Sequence, residues 1–87
     1  MKALYRYESI DGTSVPSTTS DISRTLRQFE ESLTPITILS FINDDADALL
    51  AIDRLQLELA NTPTEQTGLV YSLNQCIKDI REWIVAS

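Results

Sequence analysis

Asn43-Asp44-Asp45-Ala46-Asp47 packs three carboxylates and an amide between two apolar runs. Carboxylates that close could hold a cation, share a proton, or begin a helix. A calcium loop needs oxygen ligands at positions 1, 3 and 5, glycine at 6 and glutamate at 12. Counted from Asn43, positions 3 and 5 are Asp45 and Asp47, but 6 is Ala48 and 12 is Arg54. The sharp turn and the bidentate ligand are both missing. Aspartate-rich magnesium sites of diphosphate enzymes need a second acidic cluster and a much longer chain. Two plain readings remain. If a helix restarts here, Asn43 or Asp44 caps it and the other acids favour its positive end. If one helix runs through, Asp44 and Asp47 share a solvated face with Ser40, Arg54 and Glu58. The functional version is an acidic ridge that docks a basic partner.

Other chemistry is sparse. The chain has no histidine, so Ser-His and Cys-His nucleophile pairs cannot form. Cys76 is the single cysteine, which rules out an internal disulfide and leaves zinc one thiol. It falls in an apolar stripe and reads as a small core residue. No glycine-rich phosphate loop is present. These absences argue for a protein that is not an enzyme and carries no cofactor or metal.

With 13 acidic and 7 basic residues the net charge is −6. Residues 34–61 hold five acids and only Arg54, so the negative charge is concentrated mid-chain. A basic stripe for phosphates is missing, which argues against nucleic acid as a partner. No apolar run approaches the ~20 residues of a membrane span. The N-terminal MKALYRYES carries charges where a signal peptide has its apolar core. The expected location is cytoplasmic.

Eighty-seven residues suffice for a single domain, 1–87, with a small core. Residues 1–17 read as an extended arm or hairpin. ALYRYESI favours a strand, Asp11-Gly12 is a hairpin turn signal, and Pro16 stops the returning arm. Residues 18–87 read as helical. Ile22, Leu26, Phe29 and Leu33 mark a first helix over 19–33. Thr34-Pro35 and Thr62-Pro63 look like helix starts, predicting helices over 35–60 and 63–86. Leu69, Leu73, Cys76, Ile77, Ile80, Trp83 and Ile84 form the clearest apolar stripe. The expected fold is therefore mainly α: a short N-terminal strand or hairpin, then three helices, the last two forming an antiparallel hairpin. The alternative is a small α+β domain with a strand at 36–42, where ITILSFI suits a sheet.

In the long middle helix two apolar strips run side by side. One is Ile42, Ala46, Leu49 and Leu57, with Asp53 within it; the other is Ala48, Ile52, Leu55 and Leu59. Such a helix is central in the bundle or waits for a partner. Tyr5 and Tyr7 share one face of the strand and either cover the helices or present an edge for pairing. The expected function is non-catalytic protein binding, as an inhibitor, immunity-type or regulatory protein. Candidate contact residues are Asp44 and Asp47 on the acidic face, Ile52, Leu55 and Leu59 on the apolar strip, and Tyr5 and Tyr7. The alternative is an assembly or secretion chaperone that holds a client helix on the apolar face of the middle helix. A homodimer through the Tyr5/Tyr7 edge is a third reading.

Overall fold

The computed structural model describes residues 1–86. The elements in order are β1 (Lys2–Glu8), β2 (Ser14–Thr19), α1 (Ile22–Glu31), β3 (Ile36–Ile42), α2 (Asp45–Ala60) and α3 (Thr67–Ala86). The strands form one antiparallel sheet in the order β2-β1-β3. The fold is therefore α+β, which corrects the mainly α expectation. Residues 36–42 are a strand, and the predicted helix over 35–60 is two elements. Among the described residues no helix is long and apolar enough to cross a membrane.

The reason lies at both ends of residues 32–44. Leu33 adopts a left-handed φ of 56°. The amide of Thr34 donates to the Phe29 carbonyl and that of Leu33 to the Glu30 carbonyl, a Schellman stop built without glycine. Pro35 then biases Thr34 towards extended backbone rather than starting a helix. β-branched Ile36, Thr37, Ile38 and Ile42 suit the sheet, and β1 supplies a long-range partner that sequence spacing cannot show. Asp44 is the N-cap that opens α2, its carboxylate accepting from the Asp47 amide at 2.8 Å.

β1 and β2 form the hairpin, but β2 runs on through Pro16 to Thr19. Proline is tolerated because β2 lies at the sheet's edge. The turn closes with Gly12 at φ 83° and the Gly12 amide donating to the Ser9 carbonyl. The Asp11 carboxylate accepts from the Ser9 hydroxyl and the Thr13 amide. These bonds, with the serine hydroxyl foremost, lower its pKa to about 2.

α2 and α3 cover one face of the sheet. There Leu4 and Ile42 join Ala48, Ala51, Ile52, Leu55, Leu73, Cys76, Ile77 and Ile80 in the core. Thr18 of β2 donates to Asp79 of α3 at 3.2 Å. α1 lies on the opposite face, where Phe29 meets Tyr5 edge-on at 5.8 Å and Tyr7 at 5.2 Å. The buried Thr25 hydroxyl donates to the Thr19 hydroxyl at 2.9 Å. A β-bulge in β3 reconciles the two faces. Ser40 pairs with Leu4 and Ile38 with Tyr5, leaving Leu39 as the extra residue. This phase change lets Ile36 and Ile38 share the tyrosine face while Ile42 enters the main core.

Candidate functional site

β1 forms the floor of a cavity between the sheet and α2. Its volume is about 250 Å³, and its walls include Leu4 and Arg6 of β1, Leu39 and Ser40 of β3, and Asp47, Leu50, Ala51, Arg54, Leu55 and Glu58 of α2. Each wall follows from a local feature. The bulge brings Leu39 and Ser40, neighbours in sequence, to the same cavity. The cap at Asp44 sets the phase of α2, so Ala48, Ala51, Ile52 and Leu55 turn inward. Leu50 and Leu39 are then left about half exposed, at 51% and 45%.

The deep polar groups are paired. Arg6 Nη1 and Nη2 donate to the two Glu58 carboxylate oxygens at 2.7 and 2.9 Å. Its Nε donates to the Ser14 hydroxyl at 2.9 Å and Nη2 to the Ser14 carbonyl at 3.0 Å. One guanidinium thus ties β1, β2 and α2 together, with side chains only 20% and 35% exposed for Arg6 and Glu58. A two-pronged arginine–carboxylate pair is among the stronger charged contacts because both hydrogen bonds form in one plane. At the mouth, Asp47 Oδ2 accepts from the Asn43 amide at 3.2 Å, a reciprocal helix-start contact related to the capping box.

The sequence-derived candidates fall in different places. Asp44 and Asp47 are helix-start residues; with Asp45 they converge on no cation position, and among the described residues no group of three His, Cys, Asp or Glu could hold a metal. Asp47 also reaches the cavity. Ile52 and Leu55 are buried core residues and Leu59 packs against them, so the second apolar strip faces inward. The first strip is the outward one: Ala46, Leu49 and Leu57 are exposed, and so is Asp53. Tyr5 is buried and Tyr7 half buried beneath α1. Their strand is central, so the free edges belong to β2 and β3. Cys76 is buried, and desolvation, with Asp79 adding to it, pushes its thiol up to about 12.

Sequence reasoning missed Arg6, Leu39, Leu50, Arg54 and the pairing role of Glu58. Arg6 and Glu58 are 52 positions apart, and no local spacing announces them. A helix over 35–60 puts Leu39 and Leu50 on one element, whereas they belong to β3 and α2. The usable signal was the run ITILSFI followed by Asn43-Asp44, a strand ending at a helix cap. The chain matches no protein-family model, no curated protein and no solved structure.

Proposed function

We propose that this chain is a non-catalytic protein-binding domain that docks a partner at the opening between β3 and α2. The observation that carries the reading is the cavity rimmed by Leu39 and Leu50. At about 250 Å³ it is smaller than the roughly 300–1,000 Å³ of small-molecule clefts. It suits one or two apolar side chains projecting from another protein. Its deeper ion pair is already satisfied: Arg6 spends its hydrogen bonds on Glu58 and Ser14. Leu39 and Leu50, each about half exposed, supply apolar contact around the opening. Occlusion of a partner's surface, as an inhibitor or immunity-type protein achieves it, is the biological form of this reading. A reducing compartment suits the lone buried Cys76, and the reading places the protein in the cytoplasm.

A peptide library displayed against the purified protein tests this. Enriched peptides are expected to share a large apolar residue, and Leu39→Lys or Leu50→Lys is expected to abolish their capture. Both positions are half exposed, so the variants should fold. No enrichment, or capture that ignores both substitutions, overturns the assignment.

A further inference from the structure

The edge formed by β3 and α2 has an internal symmetry that points to one occupant. The sheet leaves two outer strands, β2 and β3. β2 carries Pro16 and is tied to α3 through Thr18 and Asp79. β3, with the sequence ITILSFI, has neither proline nor charge; its bulge at Leu39 is what interrupts this edge.

α2 runs back along β3. It starts two residues beyond the strand, and its far end meets the sheet where Glu58 pairs with Arg6, opposite Thr37. Leu39 lies roughly 10 Å back from Ile42 at ~3.3 Å per strand residue. Leu50 lies roughly 8 Å along from Asp45 at ~1.5 Å per helix residue. The two leucines therefore stand at nearly the same level, as their shared cavity requires. On α2, Asp47 precedes Leu50 by three residues and Arg54 follows it by four. All three line the same cavity.

We infer that the partner at this edge is a second copy of the chain, related by a two-fold axis that lies along the line from Leu39 to Leu50, across the direction of strand and helix. This rests on the docking surface proposed above and names its occupant. The axis brings each leucine against its counterpart. It sets Asp47 of either copy opposite Arg54 of the other, because the two charges are offset almost equally and oppositely from Leu50. An isologous contact needs such self-complementarity; with Glu58 held by Arg6, the remaining charges that line the cavity are one acid, Asp47, and one base, Arg54. The bulge bends β3 at its middle, so side chains rather than a continuous strand ladder make the interface.

The test is sedimentation equilibrium of the full chain from about 1 µM to about 1 mM, a range that brackets weak dimers. The mass should rise from 9.8 kDa towards twice that value. Arg54→Glu sets like charges together and should weaken association about tenfold or more, as should Asp47→Arg. Mixed one to one, the two variants should form a heterodimer tighter than either alone, since both cross-pairs are then opposite in sign. Arg54→Glu leaves the α2 cap untouched, and thermal melts of both variants show that they fold. A wild-type mass of 9.8 kDa throughout, or a mixture no tighter than its parts, overturns the inference. If wild type stays monomeric while Leu39→Lys still abolishes peptide capture, self-pairing falls and the docking surface stands. If peptide capture fails too, both fall.

Discussion

At the scale of single residues, Cys76 shows how burial decides chemistry. Its thiol lies among Leu73, Ile77 and Ile80, where no water can solvate a thiolate. With its pKa up at about 12 against an ordinary 9.0, the thiolate fraction near pH 8 is negligible. A thiol reagent such as a disulfide dye should react with the native protein only as fast as it opens, and promptly in denaturant. Rapid labelling of the native state at pH 8 would contradict this burial. The linkage has a definite sign. The folded protein holds the proton more tightly than the unfolded chain, so the contribution is full below about pH 9. It is lost as pH rises towards about 12. A stability curve measured from pH 8 to 11 should fall, and fall less in Cys76→Ala. The neutral role of this residue was legible in the sequence, because the stripe from Leu69 to Ile84 has one phase throughout. The opposite case is Asp53: it does share a face of α2 with Ala46, Leu49 and Leu57, but that face is turned outward and its carboxylate is exposed.

At the scale of elements, two short devices separate α1, β3 and α2. Leu33 in the left-handed region ends α1, and Asp44 starts α2. Between them the chain has only to extend for β1 to capture it. Asp44→Ala removes the acceptor for the Asp47 amide and should cost about 1 kcal/mol. Urea denaturation would show this as a lower midpoint with an unchanged slope; an unaltered midpoint would mean that the cap contributes nothing. Asp44 was already a cap candidate from its type and position. That it caps a second helix rather than decorating a continuous one depended on β3, whose pairing partners lie 29 to 40 residues away.

At the scale of the molecule, a thin sheet carries a helical pair on one face and α1 on the other. The pair and the sheet share one core, from Leu4 and Ile42 to Leu73 and Ile80. Arg6 and Glu58 join the layers beside the cavity, where the packing is open. Glu58→Ala leaves the mostly covered Arg6 guanidinium without its carboxylate. The cost should be about 1–2 kcal/mol, between that of exposed and of fully buried pairs. Chemical denaturation at low protein concentration measures it free of any association. A change within error would reduce the pair to surface decoration. The cavity itself exists because the bulge at Leu39 and the phase of α2 keep strand and helix apart at that edge.

The sequence by itself determined the hairpin at Asp11-Gly12, the apolar stripe of the last helix, the acidic balance and the lack of nucleophile pairs. All of these are local or compositional, set by backbone preference, 3.6-residue periodicity and residue type. Only the tertiary structure decided that residues 36–42 are a strand, which strip of α2 faces inward, and where Arg6 finds its carboxylate. Those outcomes rest on contacts between distant segments. Apolar β-branched residues suit a strand or a buried helix equally well until a partner strand offers its hydrogen bonds.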